Sequence, residues 1–193
     1  QKLVRKGVIF MNNYLAMDYQ FVYLEDYQDF FDQFIEEVLN IFLGEIKLDN
    51  EKGSTYRISY DVYFYHDIAS IHFVLYTYQG GAHDIRYDKV VYYGLDDHKK
   101  KTLDDIISNK QEFLEKISIL AKHQLLNEKK ELIYEDSYLF QDGLDPIDKN
   151  YQYLVFDQDS LKIIFPPYQV GPWSSGEINA TIPYLDIASL MKL

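Results

Sequence analysis

The sequence predicts an α+β fold, with a mainly antiparallel sheet or sheets packed against two amphipathic helices. Two observations support this class. Segments in which apolar residues alternate with a period of two occur in runs, rather than in strict alternation with helices. Two other segments place apolar residues three and four positions apart, which is the spacing that builds one face of a helix.

In the first 78 residues, one helix lies between strands. Short alternating patterns from Leu3 to Leu24 predict two strands, around residues 8–10 and 19–23. The helix that follows is expected to end near Gly44. Its apolar face comprises Phe30, Phe31, Phe34, Ile35, Val38, Leu39 and Phe42. Alternation returns in residues 56–64 and 70–78, and the short turn between these segments predicts a β-hairpin.

The next segment adds a second hairpin and a second helix. Residues 88–103 predict a hairpin that turns through Asp96–Lys99, and the three lysines at 99–101 indicate a solvated turn. Asn109 with Glu112 resembles a capping box at the start of the helix. The apolar face of this helix comprises Phe113, Leu114, Ile117, Leu120, Ala121 and Leu125.

The last sixty residues predict a loop, three strands and a short helix. Residues 134–150 are acidic and are interrupted by glycine and proline, which favours a loop. Strands are expected at 153–156, 161–165 and 178–182, with a terminal helix from Asp186. We divide the chain into an N-terminal α+β companion domain, residues 1–78, and a C-terminal α+β domain, residues 79–193. The two halves are either separate or packed as one unit.

Composition and charge restrict the classes of function. Of the 193 residues, 47% are hydrophobic, which is enough for a buried core. The net charge of −12 repels nucleic acid and anionic lipid, and favours a basic protein partner. The absence of cysteine excludes a disulfide scaffold and a thiolate nucleophile. No apolar run is long enough to cross a bilayer. Because the chain opens on Gln1, we expect that a leader or anchor has been removed.

Histidines are the first candidates for acid-base or metal chemistry. His66, His72 and His83 lie near predicted turns or strands and converge if the strands pair as expected. No zinc-binding spacing is present, so we assign no catalytic residue, no metal and no cofactor. The alternative is an envelope hydrolase or metal-dependent enzyme that uses His83 with a nearby carboxylate.

Aromatic residues are better candidates for a binding site. Tyr63 and Tyr65 occupy the otherwise polar side of their strand, which suits either recognition or the packing of a half-buried sheet. The segment Phe165–Trp173 contains three prolines and the only tryptophan. Prolines reduce the entropy lost when a loop is held in one shape, so this loop is either a preorganised contact element or a structural cap on the sheet.

Several motifs in the second half resemble a bacterial domain of unknown function. They are, in chain order, Tyr78–His83, Thr102–Ile106, Leu161–Phe165, Tyr168, Val170–Trp173 and Gly176. That domain forms the extracytoplasmic part of lysozyme-sensing anti-sigma factors and also precedes some polysaccharide deacetylase domains. The resemblance covers about residues 79–193, and the first 78 residues look like the companion domain that usually precedes it.

The resemblance implies an extracytoplasmic binding or sensing module of the bacterial cell envelope. Its ligand would be a basic lysozyme-like protein or a cell-wall glycan such as peptidoglycan. Anti-sigma and deacetylase activities are not carried over, because the sequence lacks a sigma-binding region and the Asp and paired His of a deacetylase site. The expected contact residues are Gly80, Gly81, His83, Pro167, Tyr168, Pro172 and Trp173. A structural spacer domain is the remaining alternative.

Overall fold

The computed structural model describes residues 7–11, 28–45, 55–78 and 81–192. Within these ranges the chain forms two antiparallel sheets and four α-helices. The α+β class predicted from the sequence is therefore confirmed. None of the helices in these ranges combines the length and the apolar character that crossing a bilayer requires.

The first sheet has five strands in the order β1-β2-β3-β4-β5, each antiparallel to its neighbours. The strands are β1 Gly7–Met11, β2 Thr55–Tyr65, β3 Ile68–Tyr78, β4 Ile85–Gly94 and β5 Lys99–Lys101. The predicted strand near residues 8–10 and both predicted hairpins are confirmed. The strand predicted around residues 19–23 lies outside the described residues. The lysines expected in a solvated turn instead form β5, because they pair with the end of β4 as a short, charged edge strand.

One face of this sheet packs against helix α1, Gln28–Glu45. The helix includes Gly44 and ends one residue beyond it. The predicted apolar faces meet here because the helical and strand periods each direct one set of side chains inward. The buried residues of this cluster are Phe34, Ile35, Val38, Leu39, Phe42, Ile58, Tyr60, Val62, Ala69, Ile71, Phe73, Leu75, Val91 and Tyr93.

A second sheet of three strands covers part of the other face. Its strands are β6 Leu154–Phe156, β7 Ser160–Phe165 and β8 Ile178–Pro183, as the alternating patterns predicted. Hydrogen bonds link the sheets: for example, the Phe156 N–H donates to the Ser70 hydroxyl over 3.1 Å, and the Tyr92 hydroxyl donates to the Leu154 carbonyl over 2.8 Å. Tyr65 and Tyr92 belong to the core cluster formed with this second sheet.

Three further helices follow the first sheet: α2 Leu103–Ile106, α3 Lys110–Glu128 and α4 Tyr138–Gly143. The Asn109 side chain caps α3 by accepting the Glu112 N–H, as predicted. Helix α4 lies within the segment predicted to be a loop, so that prediction is wrong in part. With six residues, α4 is too short to show a helical period, and Ser137 caps it. The predicted terminal helix is replaced by two 3₁₀ turns, Tyr184–Asp186 and Ala188–Leu190.

The proposed domain boundary after residue 78 falls between two paired strands. Strand β3 pairs with β4 from Ile68↔Gly94 to Thr77↔Ile85, so a single sheet includes residues from both halves. The division into two domains remains a prediction about the chain, and the described sheet is continuous across it.

Candidate functional site

Three aromatic rings from two distant segments meet on the surface. The ring of His83 stacks on that of Trp173, with centroids 4.1 Å apart and planes inclined by 15°. The ring of Tyr168 lies 6.2 Å from that of His83 and 5.8 Å from that of Trp173, measured between centroids. We call these three residues the aromatic cluster. His83 is exposed, Tyr168 is 51% exposed and Trp173 is half-buried, so large molecules can reach the cluster.

Hydrogen bonds hold the loop that carries Tyr168 and Trp173. The Tyr168 N–H donates to the Gly171 carbonyl over 3.1 Å, and Tyr168 adopts a left-handed φ of 73°. The Gln169 side-chain amide donates to the backbone carbonyls of Gly143 and Asn150 over 3.1 and 2.7 Å. Together with the buried Val170, these contacts fix the loop to the body of the protein while its aromatic tip stays accessible.

The structure brings the two predicted contact segments together. His83, Tyr168 and Trp173 are in ring contact, and Gly81, Pro167 and Pro172 flank them along the chain. Gly80 lies outside the described residues. That these residues bind a ligand remains a prediction.

His83 has no acid-base partner among the described residues. Its Nδ1 lies 2.8 Å from the Asp84 carbonyl oxygen, and its Nε2 lies 3.5 Å from the Tyr168 hydroxyl. The described region places no carboxylate within hydrogen-bonding distance of this ring. His66 sits in the β2–β3 turn, and His72 bonds to a different set of residues, so the three histidines do not form one site.

A largely buried network of charged residues joins β3, β4 and the start of β8, and it was not predicted from the sequence. His72 Nε2 lies 2.6 Å from Asp88 Oδ2. The Arg86 guanidinium donates to both oxygens of Asp88, over 2.7 and 2.6 Å, and to Glu177 Oε2 over 2.6 Å. The side chains of Arg86 and Asp88 are only 5% and 2% exposed. Because Glu177 directly precedes β8, the network ties the first sheet to the second.

Electrostatics in this network favours the ionised forms of its acids. Burial alone would raise the pKa of Asp88, but hydrogen bonds from His72 and Arg86 hold that pKa below its ordinary value. The pKa of Glu177 is lowered in the same way, against the effect of burial, by its bonds to Arg86 and Asn179. Ligand atoms of His72, Asp88 and Glu177 lie within 4.8 Å of one another, a spacing that suits a metal ion. The Arg86 guanidinium already supplies the positive charge there, so we interpret the network as structural.

Tyr63 and Tyr65 are not part of the accessible aromatic surface. Tyr65 is 9% exposed, and Tyr63 is half-buried with its hydroxyl 3.5 Å from Lys162 Nζ on β7. The second sheet covers this face of β2, so the structure supports the packing alternative for both residues. Burial raises the pKa of each hydroxyl.

The fold and the aromatic cluster define a two-sheet α+β domain that presents a ring-lined surface on its loops. Residues 104–185 match the sequence model of a family described as "Protein of unknown function (DUF3298)". The matched segment lies within residues 79–193, the part of the chain whose motifs resemble a bacterial domain of unknown function.

A curated relative is an enzyme whose name states an action on peptidoglycan. The chain is 27% identical over 195 residues to the peptidoglycan-N-acetylmuramic acid deacetylase PdaC of Bacillus subtilis. The match covers 98% of this chain and 41% of that protein, so the chain spans about two fifths of the relative's length.

Solved structures share the fold. A DUF3298 family protein from Pseudomonas aeruginosa matches with a TM-score of 0.63 at 16% identity, covering 98% of this chain and 94% of that one. A member of the family from Bacteroides fragilis matches with a TM-score of 0.58 at 19% identity, covering 88% and 66% of the two chains. At these identities, the likeness establishes the fold alone.

Proposed function

We propose that this protein is an extracytoplasmic module of the bacterial cell envelope that binds cell-wall glycan through the aromatic cluster. The observation that carries the proposal is the accessible contact between His83, Tyr168 and Trp173. Flat rings with polar edges pack against the apolar faces of sugars and hydrogen-bond to their hydroxyl groups. Because the loop is held by the body of the protein, little entropy is lost when a ligand docks.

The relationship to PdaC supports a glycan as the ligand. The name of that protein states that it acts on peptidoglycan, and nearly all of the present chain aligns with it. The present chain aligns with only 41% of that protein. A region that holds the wall polymer beside a catalytic domain would raise the local concentration of substrate. An extracytoplasmic location follows from the same proposal.

A basic protein such as a lysozyme-like enzyme is the second candidate ligand. The net charge of −12 would steer a cationic protein towards this one. This candidate also agrees with the resemblance to the ectodomains of lysozyme-sensing anti-sigma factors. Binding driven by charge would weaken steeply as salt is added, whereas ring stacking on an uncharged sugar would change little.

Trp173→Ala is expected to weaken binding to an N-acetylglucosamine hexasaccharide by about tenfold, because the substitution removes the largest ring of the cluster. Isothermal titration calorimetry measures this change. Tyr134→Ala is the matched control, since Tyr134 is an aromatic residue, 69% exposed, outside the cluster. This control is expected to bind as the unsubstituted protein does.

The outcomes of these titrations distinguish a glycan ligand, a basic protein ligand and a spacer domain. Binding of hen lysozyme, but not of the hexasaccharide, would replace the glycan with a basic protein. If Trp173→Ala changed neither binding nor the melting temperature, the cluster would have no role in recognition, and a spacer domain would be favoured.

A further inference from the structure

A cavity lies at the open edge of β4, and one of its lining residues is Pro166, in the loop that carries Tyr168 and Trp173. Its volume is about 360 Å³. The residues that line it are Phe42, Glu45, Arg86, Tyr87, Asp88, Tyr153 and Pro166. Strand β5 pairs only with Tyr92–Gly94, so within the described residues the rest of β4 has no strand on this side. The cavity therefore opens to solvent between α1 and the loop that begins at Pro166.

The walls of the cavity combine aromatic rings with polar groups. Phe42, Tyr87 and Tyr153 contribute rings, and Glu45 contributes a carboxylate whose side chain is 56% exposed. Tyr153 is half-buried, and its hydroxyl has no hydrogen-bond partner among the described residues. A few polar groups among aromatic walls are typical of sites for small ligands.

The charges around the cavity favour a cation. The positive charge of Arg86 is shared between two carboxylates, Asp88 and Glu177, so it is already compensated within the protein. The Arg86 side chain is only 5% exposed, so an anion in the cavity has little access to it. Aromatic faces add to the attraction for a positive group.

The ammonium group of Lys89 already contacts one wall of the cavity. Lys89 Nζ lies 2.5 Å from Glu45 Oε2 and 5.9 Å from the centroid of the Phe42 ring. The same carboxylate and ring face are thus arranged to hold a primary ammonium. Lys89 would compete with any ligand that presents the same group.

Two of the segments that line the cavity lie close along the chain to residues of the aromatic cluster. Pro166 lines the cavity, and Tyr168 and Trp173 follow it in the loop. Arg86 lines the cavity three residues after His83. This closeness along the chain is the reason to expect that a ligand with repeating units reaches from the cluster into the cavity.

From this arrangement we propose that the cavity is a second subsite, which takes the free ammonium group of a deacetylated amino sugar in the glycan. The ammonium donates hydrogen bonds to the Glu45 carboxylate and the Tyr153 hydroxyl, beside the ring of Phe42. The subsite deepens the proposed glycan-binding function and rests on it. It makes partly deacetylated wall polymer the preferred ligand.

Matched oligosaccharides test the subsite by calorimetry. A glucosamine hexasaccharide is expected to bind about fivefold more tightly than its fully N-acetylated counterpart, at a mildly acidic pH where its amines are charged. Glu45→Gln is expected to weaken binding of the glucosamine form two- to fivefold and to leave the acetylated form unchanged. Lys89→Met is expected to strengthen binding of the glucosamine form, since it removes the competing ammonium.

Glu37→Gln controls for the attraction of a cationic sugar to an acidic protein. Glu37 is an exposed carboxylate on the same helix and does not line the cavity. The subsite proposal would be overturned if Glu37→Gln and Glu45→Gln lost equal affinity for the glucosamine form. Equal affinity of the unsubstituted protein for the two sugars would also overturn it. The glycan-binding function would still stand if Trp173→Ala weakened both complexes. Failure of both sugars to bind would overturn the two proposals together.

Discussion

Replacing Arg86 with alanine is expected to lower the free energy of unfolding by about 3–5 kcal/mol. Arg86 is the cationic partner of two acids, and the Asp88 side chain beneath it is only 2% exposed. Without the guanidinium, the Asp88 carboxylate loses two charge-assisted hydrogen bonds, and His72 is its one remaining hydrogen-bond partner among the described side chains. Losing one member of a buried charge pair costs far more than losing a pair at the surface.

Urea denaturation followed by tryptophan fluorescence measures this loss. Lys110→Ala is the matched control, because it also removes one cation from an ion pair, here with Asp148, whose side chain is 67% exposed. The control is expected to change the unfolding free energy by less than about 1 kcal/mol. A similar small change in Arg86→Ala would mean that the network does not stabilise the contact between the sheets.

Acidification provides an independent test of the same network. The folded-state pKa values of Asp88 and Glu177 are lowered, so their contribution to stability is present above about pH 4 and is lost as the pH falls through the folded-state values. In Arg86→Ala, burial without the cation favours the protonated acids. The difference in unfolding free energy between the protein and this variant is therefore expected to shrink as the pH is lowered. Denaturation at several pH values checks this, and a constant difference would contradict it.

One contact of this network could be predicted from the sequence, and another could not. Arg86 and Asp88 are two residues apart on one strand, so their common face is predictable from the period of a strand. Glu177, however, is 91 positions from Arg86, and only the packing of the second sheet brings the two together. No local pattern encodes that contact.

The elements with a repeated period were predictable, and the shortest ones were not. Helices α1 and α3 and the strands other than β5 follow from apolar spacing, since many side chains contribute to one periodic pattern. In helix α4, only Phe140 and the final residue, Gly143, are buried, so no apolar periodicity can be recognised. The N-cap residue Ser137 is the only local sequence feature that indicates this helix. The candidate site was predictable in part: residue types singled out the two aromatic segments, but the stacking of His83 on Trp173 depends on the tertiary fold.

Replacing Gly143 with alanine is expected to destabilise the protein by about 3 kcal/mol, at the upper end of the usual range for overpacking. Gly143 ends α4 directly beneath the loop that carries the aromatic cluster. A Cβ at this position would lie 2.0 Å from the Gln169 carbonyl oxygen and 2.9 Å from its carbon. Both atoms belong to the backbone, which hydrogen bonds to Pro166, Gly143 and Asn150 hold in place.

The same substitution is expected to weaken glycan binding, because the loop must move away and take Tyr168 with it. Urea denaturation gives the stability change, and calorimetry with the N-acetylglucosamine hexasaccharide gives the binding change. Gly44→Ala is the control: a Cβ there meets nothing within 4 Å, so replacing glycine in α1 is expected to stabilise the protein by about 0.5–1 kcal/mol. If Gly143→Ala lowered stability but left binding intact, glycan recognition would not depend on the loop that carries Tyr168 and Trp173. Recognition would then have to lie elsewhere on the surface.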